Sequence, residues 1–170
     1  MRGIAFILLI LFAQEIYCTP INKNPEPRKI DAKRSVNKVT IDGTINESEW
    51  SDASILEKFT ELRPTPFEPE DPNKPLIAYI KYDDSGIYFG GKVKETSKDS
   101  ISKELIGRDG FGNNDFVGII FDTYKDNLNA FEYFITPLNE QMDAKFAPGS
   151  NDDEDFSWDG VWESNTKIHD

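Results

Sequence analysis

The chain has 170 residues, and its 31 Asp and Glu outnumber its 19 Lys and Arg, for a formal net charge of -12. A surface this acidic repels the phosphates of nucleic acid, which excludes a nucleic-acid partner. The length suits one domain, and a lone cysteine, Cys18, excludes an intrachain disulfide.

The amino terminus has the pattern of a secretion signal. Arg2 supplies positive charge, an apolar run extends from Ile4 to Ala13, and polar residues then resume. The run is far shorter than the ~20 apolar residues that cross a bilayer. We therefore predict a signal peptide over residues 1–18, cleaved after Ala13 or Cys18, and a secreted, periplasmic or outer-membrane-associated protein. Whether Cys18 carries a lipid is open.

Residues 19–38 are rich in proline and polar side chains and predict a flexible tether. The folded domain is predicted over residues 39–170, beginning with an extended strand from Val39. Asp42 and Gly43 have turn chemistry. Asn46 and Glu49 have the spacing of a helix cap and its reciprocal acid, which predicts a short helix with Trp50 turned into the core.

A proline cluster from Pro64 to Pro75 predicts a long surface loop, because proline removes backbone donors and disfavours helix. A second short helix is predicted within Ser97 to Ile106, where Ile101, Leu105 and Ile106 have helical spacing.

Strands are predicted wherever short β-branched and aromatic segments lie between turn residues. These segments are Leu76 to Tyr82, Ile87 to Val93, Asp115 to Thr123, Ala130 to Thr136 and Gln141 to Phe146. Phe116 to Phe121 is apolar on both faces, which predicts a central strand, whereas Lys81, Lys92 and Lys94 predict strands with a wet face. Val161 to Ile168 resembles a strand whose partners are missing, which suggests a domain incomplete at its carboxyl end.

The fold class predicted from these elements is all-β: an antiparallel, jelly-roll-like β-sandwich with one or two short helices.

Several motifs then follow one another in the order seen in carbohydrate-binding module family 9, which this chain resembles. They are Ile41-Asp42-Gly43 with Trp50, Tyr82 to Tyr88, and Asn114 to Val117 with Asp122. The resemblance is closer to the variant at the front of bacterial envelope proteins, through Phe121 to Tyr124, Ala130 to Tyr133 and Trp158 to Trp162. It covers nearly everything from Val39 onward.

The resemblance implies a noncatalytic module that binds an oligosaccharide or polysaccharide, as the amino-terminal recognition domain of a larger envelope protein active in polysaccharide binding or catabolism. The same polypeptide would continue into a β-barrel or a hydrolase domain. Family members clamp a sugar between two tryptophans, one of them just before the motif that contains Asn114 and Asp115. No tryptophan stands there in this chain, and Phe111 is the candidate replacement.

Trp158 and Trp162 are four residues apart and share one face if the chain is extended. Flat aromatic faces bind the apolar side of a pyranose, so both rings are candidate sugar-binding residues, together with Phe111, Asn114 and Asp115. The other interpretation is that one or both tryptophans fill the core.

An acidic run offers oxygen ligands of the kind that calcium prefers. The candidate metal ligands are Asp152, Asp153, Asp155 and Asp159, although their spacing is not that of an EF-hand. The other interpretation is a solvated acidic loop that binds no metal, which is common for runs of this kind.

Catalysis within these residues is not predicted. No pair of carboxylates stands out as a glycosidase pair, and His169 is the only histidine. Two alternatives to the sugar-binding module stay open: a calcium-stabilised structural or interaction domain attached to an outer-membrane β-barrel, and part of a glycoside hydrolase.

Overall fold

The structure is a computed structural model that describes residues 28–149 and 153–169. The predicted signal peptide and most of the predicted tether lie outside the described residues. Within these residues, eight strands form two sheets, and the only helical pieces are α1 (Glu47–Trp50) and a 3-10 turn at Lys98–Ser100. The strands are β1 (Lys33–Arg34), β2 (Ser54–Leu56), β3 (Leu76–Tyr82), β4 (Ile87–Val93), β5 (Val117–Phe121), β6 (Ala130–Ile135), β7 (Gln141–Phe146) and β8 (Glu154–Asp155). The all-β prediction is confirmed.

The first sheet is organised around β3. Strand β4 pairs antiparallel with all seven residues of β3, while β2 and then β1 pair with its other edge. The β1 pairing is parallel and places Lys33 beside Lys81. Part of the segment predicted as a tether therefore belongs to this sheet.

The second sheet has the order β5-β6-β7-β8, with every pair antiparallel. A loop over residues 122–129 and a shorter turn over residues 136–140 connect its long strands. Asp126 accepts backbone hydrogen bonds from Leu128 and Asn129 in the loop. In the shorter turn, Asn139 takes a φ of 63°, a left-handed conformation that asparagine tolerates.

The predicted helix cap is present in full. The Asn46 side-chain oxygen accepts a hydrogen bond from the Glu49 backbone N–H at 2.9 Å, and the Asn46 amide donates to Glu49 Oε2 at 3.1 Å. The first of these hydrogen bonds satisfies the Glu49 backbone donor at the start of α1, and the second joins the two side chains. The cap also directs Trp50 inward, where only 5% of the residue is exposed.

Trp50 packs with Val39 and Ala53 to form the buried apolar cluster beside the first sheet. The ring meets Tyr79 edge-to-face, with centroids 6.1 Å apart. Gly90 on β4 lies under the indole. A side chain at this position would crowd the ring, since its Cβ would stand 3.0 Å from Trp50 Cη2. The prediction that Trp50 belongs to the core is confirmed.

Lys81 does not lie on a wet face, and that prediction is wrong. The residue is fully buried, and its ammonium donates to the Asp52 carboxylate and to the Glu49 carbonyl, the latter at 2.6 Å. The charge is tolerated because it is paired and lies 6.0 Å from the centre of the Trp50 ring.

Three other sequence predictions are corrected. Strand β5 is the edge of its sheet instead of a central strand, and Ile120 is 57% exposed. The helix predicted within Ser97 to Ile106 is only the 3-10 turn at Lys98–Ser100. The segment from Val39 leads to the turn at Gly43 without joining a sheet.

Burial alternates residue by residue from Trp158 to His169, which is the period of an extended chain. The even-numbered side chains lie against the protein and the odd-numbered ones face outward. This carboxyl-terminal segment, where a strand was predicted, nevertheless belongs to neither sheet.

Replacing Asp52 by Asn should lower the free energy of unfolding by about 3 kcal/mol, because a buried ammonium loses its counter-charge. Hydrogen bonds from Lys81 and from the Val36 N–H lower the pKa of Asp52. Because the pKa of Asp52 is lower in the folded state, its ionised carboxylate stabilises the folded protein at pH values above the ordinary pKa of 3.8. This stabilisation is lost as the pH falls below 3.8 and through the folded-state pKa. Urea denaturation from pH 7 to pH 3 should show this loss in the wild type and less of it in Asp52→Asn.

The matched control is Asp84→Asn, which breaks the exposed ion pair with Arg34. Exposed pairs contribute at most about 1 kcal/mol, so this variant should stay close to the wild type. Equal losses in the two variants would contradict the assignment of Lys81 as a buried cation.

Candidate functional site

The second sheet has two faces with different character. Val117, Ile119 and Phe121 of β5 lie opposite Ile135, Tyr133 and Phe131 of β6, so these side chains share one face. We call this side the tryptophan face, since the carboxyl-terminal segment places Trp158 and Trp162 on it. The opposite side carries Phe134, Met142 and Ala144 and is called the phenylalanine face.

Both tryptophans contact Tyr133 at the centre of the tryptophan face. The ring centroids are 5.9 Å apart for Trp158 and 5.5 Å for Trp162, both edge-to-face. Trp158 also packs on Phe131 at 4.9 Å, and the Lys145 ammonium lies 5.4 Å from its ring centre. Each tryptophan is half-buried, so the rings combine packing with a partly accessible aromatic surface.

Asp143 of β7 holds the carboxyl-terminal segment on this face. Its side chain is fully buried and accepts hydrogen bonds from the Gly160 backbone N–H and from Trp162 Nε1, the latter at 3.2 Å. It also accepts from the Arg108 guanidinium. Burial, with a further contribution from Asp143, raises the pKa of Tyr133. One carboxylate thus joins a strand, a loop and the tryptophan segment.

The Arg108 guanidinium extends this network toward solvent. Its Nε donates to Asp159 Oδ1 at 3.0 Å and lies 3.6 Å from Asp109 Oδ2. Nη1 donates to Gln141 Oε1 at 2.8 Å. Each of the three guanidinium nitrogens therefore has an acceptor, which fixes the plane of the group.

An open cavity of about 400 Å³ lies beside this network. We call it the Arg108 pocket; its lining consists of Arg108, Asn139, Glu140, Gln141 and Ser164. Gln141 Nε2 donates to Ser164 Oγ at 2.9 Å, and Ser164 Oγ donates to Asn139 Oδ1 at 3.1 Å. Gln141 also donates to the Trp162 carbonyl, so the pocket and the tryptophan face share one hydrogen-bond network.

Phe111 lies on the phenylalanine face, away from both tryptophans. Its ring meets Phe116, Phe134 and Phe156 edge-to-face at 5.1 to 5.6 Å. Phe134 and Tyr133 are adjacent in β6 and therefore point to opposite sides of the sheet. The predicted sugar-binding aromatics therefore lie on two sides of the sheet, with Phe111 on the phenylalanine face and both tryptophans on the tryptophan face.

Asn114 and Asp115 hold a loop in place. The Asn114 side chain is buried, accepts the Glu104 N–H and donates to the Glu104 carbonyl at 2.9 Å. Asp115 Oδ2 accepts from the Ser102 N–H at 2.9 Å. The polar atoms that a sugar would use are thus engaged with the backbone of residues 102–104.

The three predicted metal ligands that the structure describes each contact a different protein group. Asp155 accepts from the N–H and hydroxyl of Ser157, Asp153 accepts from the Gly149 N–H, and Asp159 pairs with Arg108. Asp152 lies outside the described residues. Across residues 28–149 and 153–169, no group of three or more His, Cys, Asp or Glu is arranged to hold a metal ion. A calcium site that includes Asp152 stays a prediction.

Comparisons with protein-family models, with curated proteins and with solved structures found no match. The resemblance to carbohydrate-binding module family 9 therefore remains a prediction from the motifs. In the part of the chain that the structure describes, no helix has the length and apolarity of a membrane span.

None of the five residues that line the Arg108 pocket is among the site residues predicted from the sequence. Two signals pointed to it: Arg108 is the only arginine after Arg63, and Gln141, Asp143 and Lys145 alternate as polar residues within a predicted strand. Polar side chains on one face of a strand indicate either solvent or a polar site. The sequence does not show that Arg108 reaches this face, and without that contact a solvated strand and a polar site cannot be told apart.

Asp143→Asn should lower the free energy of unfolding by about 3 kcal/mol, because Arg108 loses a buried counter-charge and an amide cannot accept as many donors. The tryptophan emission should also shift to the red as the carboxyl-terminal segment loosens. Chemical denaturation followed by fluorescence measures both quantities.

Asp159→Asn is the control, because this carboxylate contacts the same guanidinium but is 72% exposed. Its loss should stay within about 1 kcal/mol. If the two variants are equally stable, Asp143 does not hold the segment.

Glu132, on the phenylalanine face, is 6% exposed, and burial together with the nearby Glu154 raises its pKa above 4.5. A raised folded-state pKa gives stability that is complete below the unfolded value and is lost as pH rises through the folded one. Glu132→Gln should therefore stabilise the protein at pH 7 and have little effect at pH 4. Thermal melts at both pH values test this, with Glu61→Gln, an exposed glutamate in the first half of the domain, as control. An equal loss of stability at both pH values would contradict it.

Proposed function

We propose that this chain is a noncatalytic glycan-binding module that acts outside the cytoplasm. The observation that carries the proposal is the Arg108 pocket, where amide and hydroxyl side chains border a face with two half-buried tryptophans. The envelope location is proposed from the signal-like pattern of residues 1–18. A larger envelope protein is the proposed context, on the motif resemblance alone.

The chemistry of the pocket suits a sugar. A pyranose presents hydroxyl groups around its rim, and these pair best with side chains that both donate and accept. Asn139, Gln141 and Ser164 are of that kind and are linked to one another. Trp162 is connected to them through its carbonyl, which places an aromatic residue next to the polar groups.

The carboxylates around the pocket support binding over catalysis. Glycoside hydrolysis needs one carboxyl group that donates a proton and another that attacks or activates water. Asp143 and Asp159 are paired with Arg108, and Glu140 accepts the backbone N–H groups of Ile106 and Gly107. These contacts hold the loop that carries Arg108.

The decisive variant is Asn139→Gly. Glycine suits the left-handed backbone at this position, so the amide is removed without strain. Isothermal titration calorimetry with cello-, xylo-, manno- and chito-oligosaccharides should show binding to the wild type. Affinity for the best of these ligands should fall about 10-fold in the variant, the effect of one hydrogen bond.

Asn127→Gly is the matched control, since Asn127 has a φ of 56° in the turn after β5 and lies outside the pocket. It should bind as the wild type does. A folded wild type that binds none of the oligosaccharides would contradict the proposed function, and equal losses in both variants would contradict its assignment to the Arg108 pocket.

A further inference from the structure

The Arg108 pocket contains a single positive side chain, and its charge is already balanced. Nε, Nη1 and Nη2 face Asp159, Gln141 and Asp143, respectively. A ligand carboxylate or sulfate would normally bind an arginine in a bidentate manner. Here such a ligand would have to displace some of these three acceptors from the guanidinium, and one of the three is the fully buried Asp143.

Negative groups also outnumber the guanidinium. Asp109, Glu140, Asp143 and Asp159 all contact Arg108 or the loop that carries it. The Asp159 side chain is 72% exposed and faces the solvent from which a ligand arrives. An anionic ligand would therefore meet like charge, which both slows its approach and weakens its binding.

The cation over Trp158 does not reverse this balance. Lys145 lies at the other end of β7 from Gln141 and is paired in register with Asp155. The uncharged side chains that line the pocket are the Asn139 and Gln141 amides and the Ser164 hydroxyl, which suit the hydroxyl groups of a ligand.

We propose that the Arg108 pocket selects uncharged glycans and excludes glycans that carry carboxylate or sulfate groups. This inference rests on the proposed function and narrows it to a ligand class. Arg108 thereby acts as a positioning residue: it orients Gln141 and Asp159 and leaves ligand binding to the neutral side chains.

The test uses acidic oligosaccharides and their methyl esters, in which a small methyl group replaces each negative charge. Oligogalacturonate and glucuronoxylan oligosaccharides are titrated into the full-length protein alongside the neutral panel, at 20 mM and 300 mM salt. We expect each ester to bind at least about 10-fold more tightly than its acid at low salt, with a smaller ratio at high salt because salt screens exposed charges.

Two variants locate the effect. Asp159→Asn should reduce the ester-to-acid ratio several-fold, whereas Asp84→Asn, which removes the same charge from the hairpin of the first sheet, should not change it. An acid that binds as tightly as its ester would overturn the inference while leaving glycan binding intact. Absence of binding by every glycan, neutral ones included, would overturn the proposed function and this inference together.

Discussion

The carboxylate of Asp143, which has no exposed surface, connects three segments that are distant in sequence. It belongs to β7 and accepts hydrogen bonds from Arg108, from the Gly160 backbone and from the Trp162 indole. The carboxyl-terminal segment joins neither sheet, so these contacts take the place of a backbone ladder. Both the position of the tryptophans and the shape of the Arg108 pocket depend on them. Networks of this kind are stabilising only when every member is satisfied.

The first sheet also has a buried ion that is paired with an opposite charge, but there the buried ion is the cation. There a fully buried cation, Lys81, is held by Asp52 and by the carbonyl of Glu49, beside Trp50. In each sheet a strand contributes the buried ion and a neighbouring loop contributes its partner. Leaving either ion without its partner is costly, because a charge in a poorly solvated place has no alternative ligand. Two buried ions therefore fix the loops that ordinary apolar packing would leave free to shift.

Local features were predictable from sequence, and features that depend on distant contacts were not. The bounds of β3, β4 and β7 and the Asn46 cap agree with the predictions, because alternation, turn residues and cap spacing act over a few residues. Lys81 was assigned to solvent because nothing near it in sequence shows Asp52 on the same side of the sheet. Apolar residues on both faces of β5 predict a central strand, but they do not reveal which strands lie beside it, and β5 is at the edge of its sheet.

The candidate site shows the same limit more strongly. Phe111 and the two tryptophans were grouped by residue type and by family resemblance, yet they lie on opposite faces of β6. Which face a loop residue reaches depends on where the whole loop crosses the sheet edge. Arg108 was overlooked for the same reason, since its partners Gln141, Asp143 and Asp159 are 33 to 51 residues away in the chain.

The proposed function requires the tryptophan face and the adjoining Arg108 pocket to bind a neutral glycan. The most direct measurement follows the indole N–H signals of the three tryptophans in a nitrogen-15 correlation spectrum during titration with the best-binding neutral oligosaccharide. Binding at this site should give saturable shifts for Trp158 and Trp162 and an unchanged signal for Trp50, which is buried against the first sheet. Unchanged signals for Trp158 and Trp162 under saturating ligand, or a shift confined to Trp50, would contradict it.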